Sequence, residues 1–222
     1  MGGIALITAD QIQQRMIKEV FDQPVLDNNI RGYWCEYMIA EALGPECRAV
    51  GGAWHPWDLQ IGDERDTFPK RIRIQVKNSA RLQTWNIKTG KLSACQWDLK
   101  FRKRPDYFRN DNPDVSCEKS GFMCDLYILC LHDEGDISRA NQLDPAQWKF
   151  FLLPVIGPKK AITDSEFRWA SEKLENTGKV ATLQRRPGTL EEGIRGRRPI
   201  APIAVSELTV QAIYGSLGLD KP

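Results

Sequence analysis

The sequence predicts an α/β domain built on a mixed central sheet flanked by helices. Two observations predict it. Apolar residues recur at helical spacing up to about residue 43, then switch to alternation with a period of two between residues 57 and 77. Further on, two apolar runs at 122–131 and 148–155 read as strands, and a helix-opening signature follows them. Strands and helices therefore interleave along one chain.

In order, a first helix is expected over residues 9–21, where Ile12, Met16, Ile17 and Val20 share a face and Pro24 lies beyond the end. A second covers residues 30–43 and stops at Gly44-Pro45. Residues 57–61 read as a strand, and 71–77 alternates without a break as Arg, Ile, Arg, Ile, Gln, Val, Lys. The stretch 85–101 is less regular, with Thr89-Gly90 read as a hairpin tip. Residues 133–146 lack periodicity and read as an exposed loop. Thr163 and Glu166 form a capping box for a helix ending near Gly178. The Pro-, Gly- and Arg-rich stretch 185–202 reads as a loop, and 205–217 as a closing helix. The length suits a single domain over 1–222, with a core at 30–155 and a helical, basic-loop extension over 156–222.

Composition narrows the class. A hydrophobic content of 41% is enough for a real core, and a net charge of +2 does not by itself select a nucleic-acid partner, so the distribution of charge has to decide. The six cysteines include no CxxC pair, which leaves a zinc knuckle unsupported. Cys124 and Cys130 lie in an apolar run and read as core residues. No run reaches the roughly 20 apolar residues of a membrane span, and residues 1–8 lack a basic leader. The expectation is a cytoplasmic protein with reduced thiols.

The chemistry sits on the alternating strand. Ile72, Ile74 and Val76 face a core, so Gln75 and Lys77 emerge together on the other face with Arg71 and Arg73. In the preceding strand Leu59 and Ile61 share the core face, leaving Asp58 and Gln60 on the polar one. If the two strands are antiparallel, pairing Ile61 with Ile72 and Leu59 with Ile74 sets Asp58 opposite Gln75. Directly opposed Cβ atoms lie about 4.5–5.5 Å apart, close enough for two side-chain oxygens to share a cation. Slips by two residues satisfy the same face rule. Glu36 lies on a mostly apolar helical stripe with Ile39, Ala40 and Leu43, where a carboxylate is costly without a compensating cation or donor. The competing reading is a buried Glu36 paired with Arg31. Glu41 sits well around the helix and reads as solvated. Hard oxygen donors suit Mg²⁺, and a neighbouring lysine suits a phosphate whose charge grows during hydrolysis.

Asp58, a strand connection and then Gln75-Val76-Lys77 resemble the D…(D/E)xK core of the PD-(D/E)XK nuclease superfamily. The run Ile74-Gln-Val-Lys-Asn-Ser-Ala after Trp57-Asp58-Leu59 is most similar to members with a Q-x-K variant, such as certain intron-encoded homing endonucleases. The helix Arg31-Gly32-Tyr-Trp-Cys-Glu36 resembles the family's first core helix. The resemblance covers residues 30 to 80 or somewhat more. It implies a restriction-endonuclease-like fold, a catalytic set of Glu36, Asp58, Gln75 and Lys77, metal binding by Asp58, Gln75 and Glu36, and Mg²⁺ as cofactor. Gln75 stands where most relatives carry a carboxylate, which removes one negative charge. Pro56-Trp57 precedes Asp58 in place of an immediate proline.

The expected partner is double-stranded DNA, and such enzymes frequently form homodimers, although no dimer face is legible. Lys100, Arg102, Lys103 and Arg104 place four cations in five residues, ordinarily a solvated surface but in a nuclease a natural phosphate clamp. Arg195, Arg197 and Arg198, with Arg185 and Arg186, form a second basic stretch for DNA. His55 reads as structural or DNA-contacting, and Trp85 and Trp97 as packing residues. A restriction or homing enzyme is favoured over a structure-specific resolvase, since residues 81–121 and those after 156 exceed a minimal resolvase core. The rivals are a non-catalytic DNA-binding module and a partner-binding subunit of a defence or transposition complex.

Overall fold

The strand that carries the motif is the spine of the molecule. In the computed structural model, which describes residues 7–50, 56–103, 120–193 and 198–221, β3 (Ile72–Ala80) lies at the centre of a five-stranded sheet. On one side come β2 (Leu59–Ile61) and β1 (Cys47–Ala49), and on the other β5 (Leu126–His132) and β6 (Trp148–Pro154). The β3–β5 pair is parallel and the remaining pairs are antiparallel, so the sheet is mixed. A parallel pair needs a long crossover. The chain uses it to build β4 (Trp97–Phe101), which joins β7 (Ala181–Arg185) in a separate two-stranded antiparallel sheet.

The two faces of the main sheet are both covered. Ile72, Ile74, Val76, Ile128 and Phe150 pack against α2 (Asn28–Leu43) and against the last helix. Tyr127, Leu129, Phe151 and Leu153 pack against Trp97, Leu99 and Phe101 of β4 and against Ala170 and Leu174. Every residue of β5 is buried, as expected of an interior strand with cover on both sides. The predicted polar face of β3 is thus no solvent face. Arg71 and Arg73 are buried, and Arg73 pairs with Asp125 while its guanidinium lies 5.4 Å over the Trp57 ring.

The helices follow their caps. α1 (Ala9–Phe21) opens on Thr8 with a capping box, yet Ile12, Met16 and Ile17 stay exposed, so its apolar face does not enter the core. α2 ends where Gly44 takes a positive φ of 71° and returns its N–H to the carbonyls of Ala40 and Glu41. α3 (Asp164–Thr177) carries the Thr163–Glu166 capping box and ends at Gly178.

Elsewhere tertiary context overrode local pattern. Thr89 and Gly90 end a short 3₁₀ turn, Ile87–Thr89, and no hairpin forms. The stretch read as a loop from 185 starts on β7 and continues into a short α4 (Pro187–Glu191). The closing helix, α5 (Val210–Leu217), begins later than expected, after a 3₁₀ turn. Residues beyond 155 are interwoven with the rest: β7 completes the second sheet, and Val210, Ile213 and Leu217 join the core under β3. Among the described residues no helix is long and apolar enough to cross a membrane.

Candidate active site

β2 accompanies β3 only over Ile72–Ile74, in the register that pairs Ile61 with Ile72 and Leu59 with Ile74. From Gln75 to Ala80 the edge of β3 away from β5 has no strand partner among the described residues. Asp58 sits where β2 leaves off. Its N–H donates to the Ile74 carbonyl (2.9 Å), and its carboxylate Oδ2 accepts the Val76 N–H (2.7 Å). The side chain thus takes over the next rung of the ladder. Gln75 stands opposite, and its Nε2 donates to Oδ2 and Oδ1 of Asp58 at 3.1 and 3.3 Å. Lys77 follows two residues on, half-buried on the same face.

Glu36 reaches this edge from α2. Its pKa is pushed up to about 7, first by burial and then by the negative charge of Asp58, with Lys77 opposing. Asp58 is also raised, by burial, against the opposing pull of Lys77, the Val76 N–H, Gln75 and Arg102. The two carboxyls therefore feel one another and the same lysine. Arg31 does not pair with Glu36: its Nε donates to Asn78 Oδ1 (2.8 Å) and its Nη2 to Asn28 Oδ1 (2.6 Å). Glu41 is exposed, as expected.

No protein-family model, no curated protein and no solved structure matches this chain. Its chemistry has to be read from the side chains themselves. The donor set suits Mg²⁺: two carboxylates and an amide, all hard oxygen sources, with burial holding both carboxyls above their ordinary pKa values while Lys77 opposes the shift. Among the described residues no three His, Cys, Asp or Glu side chains cluster in metal-binding fashion, and beside Asp58 and Glu36 the further oxygen donor at this edge is the Gln75 amide. Its amide nitrogen now faces Asp58, and a turn of the amide presents the oxygen instead.

The basic residues divide. Arg102 continues from β4, is tied by backbone bonds to Gly121, and lies close enough to Asp58 to lower its pKa. Lys100 and Lys103 are exposed, and Arg104 lies outside the described residues. Arg198 is exposed and lines a cleft beside β6, the edge strand on the other side of β5, so it is not brought to Asp58. Arg195, Arg197 and His55 lie outside the described residues. Arg185 is buried and paired with Glu166 at 3.0 Å, which makes it architectural. Trp97 is core, as expected, whereas Trp85 is 64% exposed. The sequence carried no local sign of Tyr127, which stands beside Gln75 in the parallel register yet lies 52 residues along the chain.

Proposed function

We propose that this protein is a Mg²⁺-dependent DNA endonuclease with a restriction-endonuclease-like core, cutting phosphodiester bonds in double-stranded DNA at preferred sequences. One observation carries the reading. Glu36 from α2, Asp58 just before β2, and Gln75 and Lys77 from β3 come together at the stretch of β3 edge that β2 leaves open. Glu36, Asp58 and the Gln75 oxygen would hold the metal. Bound there, Mg²⁺ supplies Lewis-acid polarisation of the phosphodiester and neutralises its charge. Lys77 offers an ammonium to a non-bridging phosphate oxygen, where its charge counts most as negative charge builds in the transition state. Asp58 is held by the Val76 N–H, so its free lone pairs keep one direction. Arg102 adds a second cation beside the same carboxylate, suited to a flanking phosphate.

A second reading, a scaffold that binds DNA without cutting it, is favoured by the Gln75 amide that already satisfies Asp58. One experiment separates the two. Supercoiled plasmid is incubated with the protein in Mg²⁺ or in EDTA, beside Asp58→Ala and Lys77→Ala. The expected result is Mg²⁺-dependent nicking and linearisation at discrete positions, lost in both variants. Absence of cutting with retained DNA binding supports the scaffold, and wild-type rates in either variant overturn the assignment.

A further inference from the structure

Residues 81–93 leave β3 at the far end of its open edge and form a loop that is both tightly anchored and conspicuously bare. The Ser93 N–H closes it on the Arg81 carbonyl (2.8 Å). Inside, buried Asn86 accepts the Gln83 N–H (2.8 Å) and donates to Ser93 Oγ (3.0 Å). Buried Gln83 donates to the Ala80 carbonyl (2.9 Å), and Gln142 reaches across to the Leu82 carbonyl (3.0 Å). So much internal hydrogen bonding means that exposure of Trp85 at 64% is a feature of an ordered surface. Arg81, Lys88 and Lys91 belong to the same loop, and all are exposed.

Charge identifies the occupant. Between Lys77 and Asp98 there is no acidic residue, so the loop carries three cations and no anion. The acids of the adjoining loop are engaged elsewhere, Asp133 with Lys149 (2.7 Å) and Glu134 and Asp136 with Arg139 (both 3.2 Å). A second copy docking through the same surface in a two-fold pair would set these cations against their own images. A polyanion meets no such cost. Position agrees: Arg81 lies six residue steps beyond Gln75 along the strand direction, about 20 Å, which spans about six base steps of a duplex.

Resting on the nuclease reading above, we propose that loop 81–93 is a second DNA-contact surface, with Lys88 and Lys91 on backbone phosphates and the Trp85 indole against a base or sugar flanking the scissile bond. The test measures binding of the full chain to a labelled duplex of about 30 base pairs without divalent ions, across about 50–200 mM salt. Lys88→Ala/Lys91→Ala should flatten the log-affinity against log-salt slope by about 1.8, or 0.9 per contact. Trp85→Ala should weaken binding about tenfold at unchanged slope, with Trp85→Phe retaining most of the affinity. The exposed Lys179→Ala, outside the loop, should leave the slope as it is. Sedimentation of each variant should show the wild-type oligomeric state. Wild-type slope and affinity in the loop variants overturn the proposal, as does an equal slope change in Lys179→Ala or a change of oligomeric state in Trp85→Ala. Plasmid cleavage separates the two claims. Cutting with undisturbed loop-variant binding leaves the nuclease and removes the loop; loop-dependent binding without cutting does the reverse. A wild-type chain that binds no duplex removes both.

Discussion

Asp58 and Asp125 occupy matching places on opposite edges of β3. Asp58 leads into β2 and Asp125 into β5, each donates its own N–H to a β3 carbonyl (2.9 and 2.8 Å), and each carboxylate accepts a β3 N–H at 2.7 Å. Their charge balance differs. Asp125 also receives the Arg73 guanidinium at Nε (3.0 Å) and Nη2 (2.7 Å), beneath Trp57. Asp58 receives an uncharged amide and shares its surroundings with Glu36, and burial lifts both carboxyls. The same backbone device makes a strut where a guanidinium is bonded directly to the carboxylate, and a candidate metal site where an amide is bonded to it and the cations, Lys77 and Arg102, act from nearby.

The comparison breaks most plainly through stability. Asp125→Ala removes the carboxylate that pairs with buried Arg73 and should cost about 3–5 kcal/mol in urea unfolding. Asp58→Ala removes a carboxylate that burial already disfavours but leaves the Val76 N–H without its acceptor, and should cost less, about 1–2 kcal/mol. Equal losses would mean that both are struts.

Catalysis gives the next largest effect. Lys77→Ala should lower the Mg²⁺-dependent cleavage rate about 10²- to 10³-fold with little change in Tm. Gln75→Leu keeps the length but lacks an oxygen and should lose most activity. Gln75→Glu should keep substantial activity with a shifted metal preference. Full cleavage by Gln75→Leu would remove Gln75 from the ligand set.

Glu36 sharpens the comparison through pH. Its folded-state pKa of about 7 lies above the ordinary 4.5, so between these values the folded protein holds the extra proton and stability falls as pH rises. Glu36→Gln should therefore raise stability at pH 8 by about 1–2 kcal/mol, the linkage value being reduced for a half-buried group. The same substitution should weaken Mg²⁺ binding. In the wild type, Mg²⁺ affinity should drop as pH falls below about 7, because protonated Glu36 offers no anionic ligand. Flat calorimetric affinities between pH 6 and 8 would count against Glu36 as a ligand.

The smallest effect concerns the exposed cations after β4. Lys100→Ala/Lys103→Ala should reduce the salt slope of DNA binding by about 0.9 per phosphate contact, leaving sequence preference intact. An unchanged slope returns both to an ordinary solvated surface.

Much of this was legible in the chain because the relevant physics is local. The alternation from Arg71 to Lys77 set which side chains share a face, and face matching with 57–61 led to the observed pairing of Leu59 with Ile74. Thr163 with Glu166, and Gly44 after Leu43, marked helix ends because a cap satisfies backbone groups within a few residues. Other features answer to partners far away in sequence. Nothing near Arg73 announces that Asp125 neutralises it, so its strand face looked solvent-facing until the β4–β7 sheet was seen to cover it. β7 itself was missed, since its strand partner among the described residues, β4, lies 80 or more residues earlier. Trp85 looked like core on hydrophobicity alone, and only the closed, amide-anchored loop turns it outward. The sequence by itself determined periodicity, caps and the parity that groups Asp58, Gln75 and Lys77, because these depend on neighbours within a turn or a strand pair. Tertiary structure alone decided which carboxylates are neutralised, because charge compensation depends on where distant segments come to rest.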